Sequence, residues 1–188
     1  MSRLIAPLGI AAFFLGILLI VQQGSLPAPT YPSVPPSPAS ASADASATLR
    51  AHPPIPVGYR VQIPRLGIDL AILEGDIERD TVQYRTPDGY AFHLPGTAIP
   101  GTGANAYLYA HARPGMFLAL WNVKAGDVVW ISTPDGRALR YVVSEVHPRV
   151  PPSDTSWAAP SPPERLTLQT STGPADTDPR FVVVAHPG

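Results

Sequence analysis

Residues 127–146 read DVVWISTPDGRALRYVVSEV, and this stretch decides the fold class. Two arms rich in Val, Ile, Trp and Tyr flank Thr133-Pro134-Asp135-Gly136. Proline presets φ for the second position of a tight turn, and glycine accepts the positive φ that closes it. The stretch therefore predicts a β-hairpin with arms Asp127–Ser132 and Leu139–Val146. Working outward, the same short β-branched and aromatic runs recur between Gly/Pro turns. They predict strands at Tyr59–Ile63, Asp69–Leu73, Ala106–Ala110, Leu166–Gln169 and Phe181–Ala185. Helix is scarce: Gly115–Trp121 offers one short apolar turn and Asp76–Tyr84 a polar one. The fold class is mainly β, a small barrel or sandwich over residues 58–188.

Upstream the texture changes twice. Leu4–Val21 is an uncharged apolar run of 18 residues, which at 1.5 Å per residue approaches the roughly 30 Å of a bilayer core. Arg3 and the terminal amine are the positive charges before it, and the next charge is Asp44. Positive-inside logic then places the N-terminus in the cytoplasm and the rest outside. Residues 1–23 are expected to form a transmembrane anchor; a cleaved signal peptide is the alternative, and either exports the domain. Residues 24–57 are a Pro/Ser/Ala run too poor in large apolar side chains to build a core. At about 3.1 Å per residue in polyproline II, such a linker would reach on the order of 100 Å and act as a stalk.

Composition removes several function classes. The net charge is −1 with 14% charged residues, so no basic field exists to hold nucleic acid. The chain has no cysteine, which excludes disulfides, thiolate metal sites and a thiol nucleophile. No H-x-x-x-H or paired His/carboxylate spacing occurs, so no metal or other cofactor is expected. Glu74, Asp76, Glu78 and Asp80 alternate, a pattern read as a solvated face rather than a cation site.

Three residues stand where chemistry is commonly placed. His111 follows the apolar run 107–110 and opens a loop, Ala112-Arg113-Pro114-Gly115. Ser171 follows the run 166–170 and precedes Thr172-Gly173-Pro174, and Arg180 begins the last strand. If the last two strands pair antiparallel, Arg180 returns beside Ser171. Each also has a plain structural reading, as strand-end histidine, turn former and surface cation. His93 and His147 look structural, each followed by a proline-containing turn.

In chain order, VQIPRLGI (61–68), LEG (73–75), LPGTAIPG (94–101), Asn105, Ala110-His111, FLAL (117–120), Gly126-Asp127 and LTLQT (166–170), with Arg180 nine residues beyond Ser171, resemble the sortase domain. The resemblance covers about 130 residues and is loosely closest to simpler sortases such as classes E and F. It implies an eight-stranded sortase β-barrel with one or two short helices, outside a Gram-positive-type membrane. It also implies a catalytic site at His111, position 171 and Arg180. In that family a cysteine attacks the threonyl carbonyl of a sorting signal, and an amine on the cell wall or on another protein resolves the acyl-enzyme.

Here Ser171 stands where Thr-Leu-x-Thr-Cys would place the thiol. A hydroxyl is a far weaker acid than a thiol and needs a general base as it attacks. Serine hydrolases orient that base with a carboxylate, and no carboxylate is evidently placed to do so. QTSTG (169–173) is not a G-x-S-x-G elbow either. Two functions follow: a membrane-anchored sortase-type transpeptidase or peptidase acting through Ser171, or a tethered sortase-like module that binds peptide without turnover. Thr86–Phe92 and Pro148–Pro163 are the candidate specificity loops.

Overall fold

The computed structural model describes residues 52–188. The expected anchor (1–23) and most of the expected stalk (24–57) lie outside the described residues. Among the described residues, no helix is long and apolar enough to cross a membrane.

Eight strands close into a barrel: β1 (Arg60–Ile63), β2 (Ile68–Glu74), β3 (Tyr90–His93), β4 (Asn105–Tyr109), β5 (Val128–Ser132), β6 (Ala138–Val150), β7 (Arg165–Ser171) and β8 (Arg180–Pro187). Around the barrel the order is β1-β2-β3-β4-β7-β8-β6-β5. The sheet is mixed, with β2–β3 and β4–β7 parallel and the other pairs antiparallel. Closure leaves no unpaired strand edge. The β5–β6 hairpin pairs Ser132 with Ala138 around the expected Pro-Asp-Gly turn, where Gly136 has φ 82°. Both expected helical segments are short, one π-helical turn at Glu78–Val82 and two turns of 3-10 helix at Phe117–Asn122.

Two differences from the sequence reading have local causes. β3 is additional: Tyr-Ala-Phe-His is too short to show alternation, and Ala91, Phe92 and His93 are all buried, so both faces are covered. β6 runs past the expected end at Val146 to Val150, through Pro148. A register shift between His147 and Val150 falls across that proline, where a residue without an N–H breaks no ladder bond.

Alternation along the strands builds the core. Val61, Ile63, Leu70, Ile72, Leu108, Ile131, Leu166, Leu168 and Val183 point inward and are at most 4% exposed. Phe117 and Leu120 of the 3-10 turn join them. The opposite phase of β4 and β7 carries Tyr107, Tyr109, Gln169 and Ser171 on the outer face.

His93 is structural, as expected. Its ring is buried, with Nδ1 2.8 Å from Glu74 Oε2 and Nε2 3.0 Å from the Ala98 carbonyl, and it pins the Leu94–Ala98 turn to the end of β2. Gly75 lies beside this junction: a Cβ there would strike the Tyr109 hydroxyl and sit 2.7 Å from the His93 carbonyl. Gly75→Ala is expected to cost about 1–3 kcal/mol through forced displacement, read as a lowered denaturation midpoint with an unchanged m-value.

Candidate functional site

Strand register brings the three candidate residues to one place. Ser171 pairs directly with Arg180 across β7 and β8, as antiparallel return of the last strand requires. On the other side β4 and β7 run parallel with Tyr109 opposite Gln169, so His111 and Ser171, each two residues further on, leave the sheet side by side. The Ala110 amide donates to the Gln169 carbonyl at 3.2 Å, and Thr170 Oγ1 donates to the Ala110 carbonyl at 2.8 Å, which locks the two chain ends together.

These residues line a cleft of about 1170 Å³ on the outer face of the barrel. Its walls carry Tyr84, Tyr107, Tyr109, Trp121 and Trp157. Val150 at the end of β6 and residues 152–158 of the proline-rich β6–β7 loop form one rim. Asn105 Nδ2 holds that rim by donating to the carbonyls of Trp157 at 2.9 Å and Ala159 at 3.0 Å, while the His147 ring packs against Trp157 at 4.5 Å. Both candidate specificity loops reach the cleft, one through Thr86 and the other through this rim.

The polar contacts limit what the site can do. No hydrogen bond joins His111 to Ser171 among the described residues. Instead His111 Nε2 lies 2.9 Å from the Thr86 carbonyl, a backbone group where serine hydrolases place a carboxylate. Trp121 Nε1 donates to the Ser171 carbonyl at 3.2 Å. Arg180 donates to two backbone carbonyls, Asp176 at 3.0 Å and Asp178 at 3.3 Å, and pairs with no carboxylate among the described residues. Its charge is thus held in place without being neutralised. Burial pushes the Tyr107 hydroxyl above the usual range for a phenol, against the pull of Arg180 nearby. Tyr107 therefore stays a neutral donor, and it donates to Gln169 Oε1.

The floor holds one buried acid, Asp80. Its side chain is 1% exposed and pairs with Arg79, Nε to Oδ1 at 2.5 Å and Nη2 to Oδ2 at 2.7 Å. Tyr109 also donates to it, and the Arg79 guanidinium lies 4.9 Å above the Phe92 ring. Burial alone would raise the carboxyl, but the bonds from Arg79 and Tyr109 outweigh it and hold Asp80 at about 2. The acidic alternation thus has structural employment, with Glu74 on His93, Asp80 on Arg79 and Asp76 Oδ1 accepting the Arg79 amide at 2.9 Å. Sequence reasoning did not single out Tyr107 or Tyr109, and it read Asp80 as part of a solvated face, whereas the side chain is buried and paired. Tyr107 and Tyr109 carried a signal, since they share the two-residue phase of His111.

A mixed eight-stranded barrel with an outer-face cleft at the ends of β4, β7 and β8 defines a class. The chain belongs to the sortase family, whose sortase domain matches residues 61–188. Among solved structures it is similar to sortase A from Corynebacterium diphtheriae, at 33% identity and TM-score 0.60, covering 71% of this chain and 61% of that one. A lid mutant of the same sortase gives 32% identity and TM-score 0.60, covering 71% and 70%. Sortase C-1 from Actinomyces oris follows at 28% identity and TM-score 0.59, covering 71% and 74%. These are sortases A and C, and they lend no support to the likeness to classes E and F. A search of curated proteins returned no match.

Proposed function

We propose that this chain is a sortase-fold peptide-recognition domain whose cleft takes an extended peptide and whose turnover is withheld by serine at position 171. The observation that carries this reading is the pairing of an aromatic-walled cleft with a site in which His111 bonds the Thr86 carbonyl rather than Ser171. Rigid aromatic walls give an extended peptide contact area at low entropic cost. Arg180 would hold a peptide carbonyl. Hydrogen bonds to charged groups contribute about 1.5–3 kcal/mol, so Arg180→Ala is expected to weaken binding by roughly tenfold to a hundredfold. Titration of sorting-signal peptides into the chain, followed by Trp121 and Trp157 fluorescence, checks this; equal affinity in the variant would sink the assigned role.

A second reading is slow acyl transfer by Ser171, favoured by its direct register with Arg180. Ser171 Oγ would bond to the peptide carbonyl carbon as its proton passes to His111, and the oxyanion would face Arg180. Collapse would expel the downstream amine, which takes the proton from His111. An amine on the cell wall or on another protein, or water, would then resolve the ester. A covalent peptidyl ester on wild-type Ser171, seen by mass spectrometry, would favour this reading over binding alone.

In both readings residues 1–23 anchor the domain and residues 24–57 hold it outside the membrane. Protease added to intact cells should then remove the barrel and spare the N-terminal segment.

A further inference from the structure

The connection between β2 and β3 ends in a strap, residues 84–88, that crosses from the Arg180 side of the cleft to the His111 side. At one end the Tyr84 hydroxyl donates to Asp176 Oδ2 at 3.3 Å, and the carbonyl of the same Asp176 accepts from Arg180 at 3.0 Å. In the middle the Thr86 carbonyl lies 2.9 Å from His111 Nε2. At the other end Asp88 pairs with Arg113, two residues beyond His111. Tyr84 has φ 53°, a left-handed conformation that a tyrosine keeps only where its surroundings impose it. The Arg85 amide, donating to the Arg79 carbonyl at 2.9 Å, supplies part of that restraint. Thr86 precedes Pro87, and the proline ring disfavours helical φ/ψ for it and so narrows where its carbonyl can point.

A carbonyl oxygen only accepts, so the nitrogen that meets it must carry the proton. We infer that the strap makes Thr86 a positioning residue: its carbonyl fixes the His111 proton on Nε2 and leaves Nδ1 as the acceptor of a ring that lines the cleft. In a serine hydrolase a carboxylate selects the histidine tautomer; here a backbone carbonyl held by Pro87 and Tyr84 takes that place. The assignment holds for either reading of the cleft. In acyl transfer Nδ1 receives the Ser171 proton, and in binding alone it accepts a peptide N–H. The Tyr84–Asp176 bond also links the setting of His111 to the loop that leads into Arg180.

The test is a long-range proton–nitrogen spectrum of the full-length chain with ¹⁵N-labelled histidine, the His111 signals assigned by their loss in His111→Gln. Wild type is expected to show neutral His111 as the Nε2–H tautomer, with that proton visible through slow exchange with water. Pro87→Gly and Tyr84→Phe, read separately, are expected to broaden or lose the proton and to average the two ring nitrogens. Thr86→Ala keeps the carbonyl and is expected to match wild type. A wild-type ring without a protected Nε2–H, or both strap variants leaving it unchanged, overturns the inference. Because the readout is a tautomer, absence of peptide binding would remove the functional proposal and leave this one standing.

Discussion

Ser171→Cys is expected to raise transfer of a sorting-signal peptide onto an amine acceptor by on the order of 10²-fold or more. The magnitude follows from what a hydroxyl lacks. A positioned general base contributes about 10² to 10⁴ to such a step, and a hydroxyl depends on that base throughout the attack, whereas a thiol near pKa 8.5 is already partly ionised and strongly nucleophilic. The strand register carries the two other candidate residues to the same place as residue 171. Arg180 pairs with residue 171 in register, and His111 leaves the adjacent parallel strand at the same level. Thioester accumulation and product formation, followed by mass spectrometry for wild type and variant, measure the gain. If the variant is as silent as wild type, the cleft differs from a working sortase in more than its nucleophile.

Asp80→Ala is expected to destabilise the domain by about 3 kcal/mol, because it leaves the Arg79 guanidinium and the Tyr109 hydroxyl without their shared acceptor under the cleft floor. The same carboxylate sets an acid limit. Its folded pKa of about 2 lies below the ordinary 3.8, so its contribution is present above the ordinary value and is lost as pH falls through the folded one. The shift corresponds to about 2 kcal/mol. Denaturation at a series of pH values should show wild type losing this increment between about pH 4 and pH 2, with a flatter profile for Asp80→Asn. Equal slopes for the two proteins would remove Asp80 from the account. Since Tyr109 lines the cleft and bonds Asp80, loss of the acid should also weaken peptide binding.

Local chemistry made most of the barrel legible. Strands with one covered face show their alternation, as β2 and β5 do, and the Pro-Asp-Gly turn announces its own hairpin. β3 gave no such signal, being four residues long with three of them buried. The neighbourhood of Ser171 and Arg180 was legible because two adjacent antiparallel strands allow a simple return. What His111 touches was not. Thr86 lies 25 residues away along the chain, and the Tyr84–Asp176 bond spans 92, so nothing local announces either. The cleft walls were partly hidden for the same reason: Tyr107 and Tyr109 sit in an apolar run that reads as core, and only the position of the β6–β7 loop shows that their face is the outer one.

The most direct test of the central claim is a backbone amide spectrum of the full-length chain titrated with a pool of extended sorting-signal peptides, with the peptides recovered afterwards for mass analysis. Saturable shifts confined to residues 84–88, 107–111, 150–158, 169–173 and 180 are expected, with the peptides returned intact. Shifts elsewhere on the barrel, or none at peptide concentrations that saturate a working sortase, would contradict it.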